Sequence, residues 1–531
     1  MRAVRPHRFL PAVVAAALLL AGCSGGEGTA TASPGSSTDG APPTATPASG
    51  STAATPLQPL PAEIPAALSS YYTQKLTWQP CDDGFECTTF KVPVDYANPS
   101  GGDLTLTATR ARATGGATRL GSLLLNPGGP GGSAIEYVQA TAKSFDPGVR
   151  AAYDLVGVDP RGVGESSPVS CLNGDRMDAY TATDITPDDQ AETDALVAAD
   201  KEFAAACQQK SGATLGHVST VEAARDMDVL RALVGDDKLH YLGKSYGTFL
   251  GATYAGLFPG RVGPMVLDGA LDPSLDARAG NRGQAGGFET AWAAFAKDCA
   301  KRDNCPLGSN EKEIGEQLDA FFRKVDAQPL PTDSGRKLTE SLATTGVIQA
   351  MYAEFLWPRL RDAFTTAKAG DGTGLLKLSD DYYERSADGT YPNLMSANMA
   401  VNCLDLPAPF ADPAAARQAV PEFEQASPHF GRDMAWMALA CGYWPLKATG
   451  APHTVRAAGS APIVVVGTTR DPATPYAWSQ ALAGQLESGR LLTYDGDGHT
   501  AYGRRNACID TAINRYLLGG EAPANGTRCA K

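Results

Sequence analysis

The chain has 531 residues, of which 43% are hydrophobic and 19% are charged, and its formal net charge is −13. This length is sufficient for one large domain with an insertion, or for two domains. The acidic balance disfavours nucleic acid as a partner, so we predict no nucleic-acid binding.

The first 22 residues have the organisation of a bacterial lipoprotein signal peptide. Three arginines precede an apolar run at 9–20, and Leu-Ala-Gly-Cys follows at 20–23. The apolar run is too short to span a bilayer. Cleavage before Cys23 and acylation of that residue would place the protein on the outer face of a membrane. An ordinary secretory signal with an incidental cysteine is the alternative.

A low-complexity segment follows the signal. Residues 23–61 are mostly Ser, Thr, Ala, Gly and Pro, with almost no large apolar residue. Such a composition cannot bury a core, so the segment is predicted to be a disordered tether. The folded body then begins at residue 62.

Eight apolar, β-branched runs with turn residues between them predict the strands of one sheet. They lie at 88–94, 104–110, 120–126, 153–159, 239–242, 264–268, 462–467 and 490–494. Helical patterns alternate with the later runs, which indicates a mostly parallel sheet covered on both faces. The first two runs have no helix between them and predict an antiparallel edge.

The strand pattern is interrupted between residues 274 and 452. Amphipathic stretches rich in aromatic residues replace it, for example at 288–300 and 345–367. We predict a helical lid inserted into a core that comprises 62–273 and 453–531. A separate downstream domain is the alternative, but two further predicted strands follow the segment and favour an insertion.

Ten cysteines follow Cys23, an even number in a chain with an export signal. Connectivity cannot be deduced from sequence, but pairing of near neighbours would fasten five loops. The suggested pairs are Cys81 with Cys87, Cys171 with Cys207, Cys299 with Cys305, Cys403 with Cys441, and Cys508 with Cys529. The chain has no C-x-x-C motif, and histidine is scarce near the cysteines, so we predict neither a metal site nor a cofactor.

The sequence Gly-Lys-Ser-Tyr-Gly at 243–247 joins a predicted strand to a predicted helix. This is the pattern of a nucleophile elbow, in which the glycines allow a tight turn that exposes Ser245. The pattern alone is weak evidence, because residues 22–26 in the leader also match it. A serine nucleophile further requires a base and a carboxylate that orients the base.

His499 is the candidate base, because it follows the last predicted strand in a glycine-rich loop at 495–500. Asp471 is the candidate orienting acid. It follows the preceding strand, where the chain order serine, acid, histidine of α/β-hydrolases requires an acid. Asp495 and Asp497 are rivals, but they lie too close to His499 in the sequence to be the usual orienter.

The glycine-rich loop after the third predicted strand is a candidate oxyanion hole. It reads Asn-Pro-Gly-Gly-Pro-Gly at 126–131. A tetrahedral intermediate needs two N–H donors, which we expect from Tyr246 in the elbow and from Gly128 or Gly129 in this loop. A phosphate-binding loop is the alternative, but no G-K-[ST] sequence follows.

Together these motifs resemble the tripeptidyl aminopeptidases of the proline iminopeptidase group of α/β-hydrolases. The resemblance runs from about residue 76 to 516 and rests on the motifs at 126–131, 159–166 and 243–247 and on the Asp471 and His499 loops. It implies an α/β-hydrolase fold with a mostly parallel eight-stranded sheet and an inserted helical lid. Pro127 stands where proline iminopeptidases carry histidine, which favours the tripeptidyl branch.

The resemblance also implies a function. An exported serine exopeptidase would release tripeptides from peptides with a free amino end, through an acyl-enzyme. A carboxylesterase or lipase on the same fold, and a catalytically silent binding lipoprotein, are the alternatives. We expect a monomer.

An aminopeptidase of this type requires a carboxylate that pairs with the substrate ammonium. The lid sequence Ala-Val-Asn-Cys-Leu-Asp at 400–405 resembles a segment of this family and makes Asp405 the candidate. Glu354 and Asp362 are alternatives, and a structural hydrogen bond is an equally open role for Asp405.

Overall fold

In a computed structural model the chain is described over residues 54–82, 84–115 and 119–531. The predicted signal peptide, Cys23 and the first part of the tether lie outside these residues, so lipidation stays a prediction. Among the described residues there is no helix with the length and apolarity needed to cross a membrane.

The strands and helices have the following bounds. The strands are β1 (Thr55–Pro56), β2 (Gln79–Pro80), β3 (Glu86–Pro93), β4 (Asp103–Ala111), β5 (Gly121–Asn126), β6 (Tyr153–Val158), β7 (Leu239–Lys244), β8 (Val262–Asp268), β9 (Leu330–Pro331), β10 (Lys337–Leu338), β11 (His453–Thr454), β12 (Ile463–Arg470), β13 (Gly489–Asp497) and β14 (Thr527–Ala530). The α-helices are α1 (Ser69–Tyr72), α2 (Ala134–Thr141), α3 (Pro147–Ala152), α4 (Asp175–Thr181), α5 (Gln190–Leu215), α6 (Thr220–Leu233), α7 (Tyr246–Leu257), α8 (Ala277–Cys299), α9 (Glu311–Ala327), α10 (Glu340–Met351), α11 (Trp357–Lys368), α12 (Thr373–Tyr382), α13 (Leu394–Asp405), α14 (Pro413–Ala426), α15 (Gly431–Met437), α16 (Tyr476–Gln485) and α17 (Ala507–Gly519).

The central sheet has the strand order β14-β13-β12-β8-β7-β5-β6-β4-β3-β2. From β14 to β6 all neighbours are parallel, whereas β4, β3 and β2 are antiparallel to theirs. All eight predicted strands and the antiparallel edge are confirmed. The two short strands β2 and β14, which the sequence did not predict, extend the sheet at its edges.

The middle strands are covered on both faces. Every residue of β5 is buried, and its side chains alternate between two apolar clusters. Leu123 and Leu125 pack with α2, α3 and α17, whereas Leu124 packs with α6, α7 and α16 on the other face. A strand that is buried on both faces needs apolar residues at successive positions, which explains the continuous apolar run.

The five suggested cysteine pairs are the five disulfides of the described chain. Cys81–Cys87 fastens the end of β2 to β3 at one edge of the sheet, and Cys508–Cys529 fastens α17 to β14 at the other. Disulfides persist in oxidising compartments, so this framework indicates an extracytoplasmic protein.

The lid follows β8 and precedes β12. It consists of helices α8 to α15 and a hairpin of two short strands, β9 and β10, of two residues each. A second segment joins it, because Leu196 of α5 lies in the same buried cluster as Phe423 and Trp436 of the lid. Arg385 of the lid also pairs with Asp178 of α4 at 2.6 Å. The lid therefore packs against a second helical segment, α4 and α5. The sequence analysis placed these two helices in the core, because a helical pattern does not reveal the layer in which a helix packs.

The predicted tether is wrong for residues 54–61. Strand β1 pairs with β11 in parallel, and the Leu57 N–H donates to the Thr454 carbonyl at 2.9 Å. The Leu60 N–H donates to the Leu257 carbonyl at 2.8 Å, and both leucines pack against the main core. These two leucines hold the stretch against the core. Its average composition is small and polar, which is why the sequence predicted disorder.

Candidate active site

Ser245 lies at the junction of β7 and α7 with φ 55° and ψ −127°. A positive φ is strained for a serine and is typical of functional turns. A Cβ on Gly243 would lie 2.3 Å from the Gly247 carbonyl oxygen, so this close approach requires glycine. The Ser245 N–H donates to the Asp268 carbonyl at 2.9 Å, which holds the turn against the neighbouring strand. The strand, turn and helix of a nucleophile elbow are all present.

His499 and Asp471 are brought together from two loops. Nδ1 of His499 lies 2.8 and 3.0 Å from the two carboxylate oxygens of Asp471. Asp471 is 2% exposed and accepts the N–H groups of Ala473, Thr474 and Thr500 at 2.9–3.1 Å. These donors fix the carboxylate, which in turn holds the imidazole proton on Nδ1. Nε2 of His499 is buried and has no hydrogen-bond partner among the described residues, so it is free to accept a proton.

The lid contacts this histidine directly through Tyr352, a residue that the sequence did not single out. The His499 N–H donates to the Tyr352 carbonyl at 2.8 Å, and the two rings meet edge to face with centroids 5.4 Å apart. Tyr352 directly follows α10 of the lid. The position of the lid therefore influences the position of the imidazole.

Asp268, at the end of β8, joins the elbow to the histidine loop and was also missed. Its carbonyl accepts the Ser245 N–H, and its carboxylate accepts the N–H groups of Ala501 and Tyr502 at 2.9 Å. Nζ of Lys244 donates to the Tyr502 carbonyl at 2.8 Å. Burial raises the pKa of the Asp268 carboxyl, and the positive charge of Lys244 opposes this. The only sequence signal for this role is that Asp268 ends the strand beside the elbow strand.

The glycine-rich loop lies against the elbow. A Cβ on Gly128 would be 2.5 Å from the Lys244 carbonyl and 3.0 Å from the Tyr246 nitrogen. The Gly128 N–H already donates to Oδ1 of Asn126 at 3.0 Å. The N–H groups of Gly129 and Tyr246 have no acceptor within the described parts of the chain. Of the two glycines left open by the sequence, Gly129 is therefore the one with a free donor.

The motif at 159–166 supports this loop from behind. The Ser133 hydroxyl donates to Oδ1 of Asp159 at 2.8 Å, and the Glu165 N–H donates to Oδ2 at 3.0 Å. Arg161 is fully buried and pairs with Asp226 at 2.7 Å. The motif thus positions the start of α2 directly after the glycine-rich loop.

The two predicted amine-binding carboxylates have different surroundings. Glu354 pairs with Lys531. Asp405 accepts the Thr220 N–H at 2.8 Å and the Thr220 hydroxyl, which also contacts the Tyr246 hydroxyl. Burial raises the pKa of Asp405 to about 7. Asp405 also lines a cleft of about 290 Å³ together with Phe249 of α7. A role in amine binding stays a prediction for both residues.

Comparison with known proteins agrees with this geometry. Residues 427–529 match a family model described as "TAP-like protein". The chain is 38% identical over 487 residues to serine protease Hip1 of Mycobacterium tuberculosis, covering 86% of this chain and 91% of that protein. It is 37% identical over 457 residues to carboxylesterase B of the same species (84% and 86% covered). It is 33% identical over 453 residues to tripeptidyl aminopeptidase of Streptomyces lividans (84% and 83% covered).

These relatives cover most of the chain, and the sheet, elbow and lid have the architecture of an α/β-hydrolase. The protein is therefore a serine hydrolase. It belongs to the family of tripeptidyl-aminopeptidase-like peptidases with the α/β-hydrolase fold.

Proposed function

We propose that this protein is an exported serine exopeptidase that releases tripeptides from the free amino end of peptides. The observation that carries the proposal is the His499–Asp471 pair, held beside a strained elbow that presents Ser245. In this proposal Ser245 is the nucleophile, His499 the general base, and Asp471 the acid that orients the base.

In this proposal the reaction proceeds through an acyl-enzyme. The Ser245 hydroxyl attacks the scissile carbonyl while Nε2 of His499 takes its proton. The N–H groups of Tyr246 and Gly129 stabilise the oxyanion of the tetrahedral intermediate. His499 returns the proton to the leaving amine, and an acyl-enzyme remains on Ser245. Water activated by His499 hydrolyses the ester and releases the amino-terminal fragment.

Asp405 supports the exopeptidase part of the proposal. Within the described chain no Lys, Arg or His forms an ion pair with it, whereas Glu354 is paired with Lys531. A half-buried carboxylate that lacks a cation is suited to bind a substrate ammonium. Through Thr220 it also contacts the side chain of Tyr246, whose N–H is a proposed oxyanion donor.

The disulfides and the predicted lipidation at Cys23 set the proposed cellular context. The disulfides indicate an oxidising compartment, and acylation of Cys23 would attach the enzyme to a membrane from outside. Its proposed partners are therefore peptides with a free amino end and, through the lipid, the membrane surface.

A carboxylesterase is the second candidate, because one relative carries that name. Product analysis separates the two. The full chain is incubated with one unmodified peptide of about twelve residues, and the products are identified by mass spectrometry. Stepwise loss of three residues from the amino end is the expected result. Cleavage of short acyl esters together with an intact peptide would favour the esterase.

Acetylation of the substrate amine should lower kcat/KM several hundredfold. The acetyl group removes the ammonium and leaves the Asp405 carboxylate without its partner, a loss of about 3–5 kcal/mol. The measurement compares Ala-Ala-Pro-anilide with its N-acetyl form in wild type, in Asp405→Asn and in Glu354→Gln, which tests the second predicted carboxylate. Equal rates for the two substrates in wild type would refute an amino-terminal exopeptidase, and an unchanged ratio in Asp405→Asn would refute the choice of residue.

The pH dependence of this ratio provides an independent readout. Asp405, with a pKa of about 7, accepts a proton as the pH falls and then no longer attracts the ammonium. The substrate amine loses its own proton above about pH 8. The preference for the free amine should therefore be greatest near pH 7–8 and fall toward pH 5. In Asp405→Asn the decline on the acidic side should disappear.

A further inference from the structure

A lid helix lies directly against the glycine-rich loop. A Cβ on Gly131, which has a φ of 100°, would lie 2.5 Å from the Leu394 carbonyl oxygen and 3.1 Å from the Asn398 nitrogen. Leu394 is the first residue of α13, and Asn398 lies about one turn further along the same helix. The loop and the start of α13 are therefore in close backbone contact, and no side chain fits between them.

One side-chain hydrogen bond joins the same helix to the loop. Nδ2 of Asn398 donates to the Pro130 carbonyl at 3.0 Å. Nδ2 of Asn402 donates to Oδ1 of Asn398 at 3.0 Å, which leaves Nδ2 of Asn398 to face the loop. Among the described residues, the bond from Asn398 is the only hydrogen bond that ties residues 129–131 to another element.

Helix α13 is itself anchored near both ends. Asn393 directly precedes it, accepts the Gly164 N–H at 2.9 Å and donates to the Gly162 carbonyl at 2.8 Å. Cys403, in the last turn, is bonded to Cys441. The helix is thus a fixed support, against which the glycine-rich loop takes its position.

The loop requires such a support because of its composition. Four of the five residues from 128 to 132 are glycine, and a glycine backbone loses more conformational freedom on folding than that of any other residue. Inside the loop, the Gly132 N–H donates to the Gly128 carbonyl at 3.1 Å. An oxyanion hole is effective only if its donors are in place before the charge develops. A contact that fixes this turn therefore bears on the reaction as well as on folding.

We propose that Asn398 is a positioning residue for the oxyanion hole, through which the lid holds the Gly129 N–H in place. Asn398 fixes the Pro130 carbonyl, and Gly129 directly precedes Pro130 in the same turn. Without the amide the turn is free to move, and the Gly129 N–H loses its fixed position. This inference rests on the proposed function, because it takes Ser245 as the nucleophile and Gly129 as an oxyanion donor.

Two variants of the full chain remove the hydrogen bond in different ways. Asn398→Ala removes the amide, whereas Asn398→Asp keeps its shape and replaces the donor with an oxygen that repels the Pro130 carbonyl. Asn281→Ala is the matched control, because Nδ2 of Asn281 donates at 2.8 Å to the Ala277 carbonyl within α8, another lid helix. All three should melt within about 4 °C of wild type, since each loses one hydrogen bond.

The first readout is the rate at which a fluorophosphonate labels Ser245. The serine oxygen displaces fluoride from phosphorus, and the phosphonyl oxygen enters the oxyanion hole, so the rate reports on the hole without a peptide substrate. Both Asn398 variants should label about 10- to 100-fold more slowly than wild type, which is the effect of a small misplacement of a catalytic group. Asn281→Ala should label at the wild-type rate.

The second readout separates positioning from substrate binding. With Ala-Ala-Pro-anilide, kcat should fall by a similar factor in both Asn398 variants, whereas KM should stay within about twofold of wild type. The reason is that the oxyanion donors bind the transition state more strongly than the substrate. A raised KM with an unchanged kcat would overturn the inference, by showing that Asn398 acts on substrate binding alone.

The labelling results separate this inference from the proposed function. If wild type does not label, the proposed nucleophile fails and this inference fails with it. If wild type and both Asn398 variants label at equal rates, the proposed function stands and this inference is overturned. An equal loss in Asn281→Ala would also overturn it, by showing a general effect of changes in the lid.

Discussion

Ser245→Ala should lower kcat about 10⁶-fold while the fold stays intact. The hydroxyl makes the covalent bond in the proposed reaction, and the loss of a serine nucleophile has an effect of about this size in other serine hydrolases. Alanine can occupy the turn, because the strain at φ 55° belongs to the backbone and is shared by any residue with a Cβ. The variant should therefore melt close to wild type.

Ser167→Ala is a matched control, because Ser167 also has a positive φ of 47°. Its hydroxyl donates to the Thr105 carbonyl, away from the proposed site. This variant should keep nearly full activity. A fluorophosphonate probe should label wild type on the peptide that contains Ser245 and should not label Ser245→Ala. Activity in Ser245→Ala above a tenth of wild type would contradict the proposed nucleophile.

The central sheet and the loops at its edge could be predicted because their signals are local. β5 is buried on both faces, so its apolar run is continuous and easily recognised. Gly243 and Gly247 flank Ser245 because the turn leaves no room for a Cβ at either position. His499 and Asp471 lie in the loops after β13 and β12, and the chain order of the fold singles out these two loops among several polar ones.

Contacts between distant segments could not be predicted, because a sequence pattern records burial but not the partner. Nothing near Tyr352 indicates that its carbonyl accepts the His499 N–H across the lid. The pairing of residues 55–56 with 453–454 was concealed in the same way by the small and polar composition of the N-terminal segment.

Asp471→Asn should lower kcat about 10⁴-fold, through the imidazole tautomer and without a change in packing. Oδ1 of Asp471 accepts the two N–H groups of Ala473 and Thr474, whereas Oδ2 accepts only that of Thr500, so asparagine keeps more hydrogen bonds with its oxygen at the Oδ1 position. Its NH₂ group then faces Nδ1 of His499. Two donors cannot share that contact, so the imidazole proton moves from Nδ1 to Nε2, which can no longer accept a proton from Ser245. Nitrogen NMR of the imidazole should show this change of tautomer. Asp495→Asn is the matched control, because Asp495 is the half-exposed rival that pairs with Arg470. It should keep nearly full activity, and an equal loss in both variants, or an unchanged tautomer in Asp471→Asn, would contradict the proposed role of Asp471.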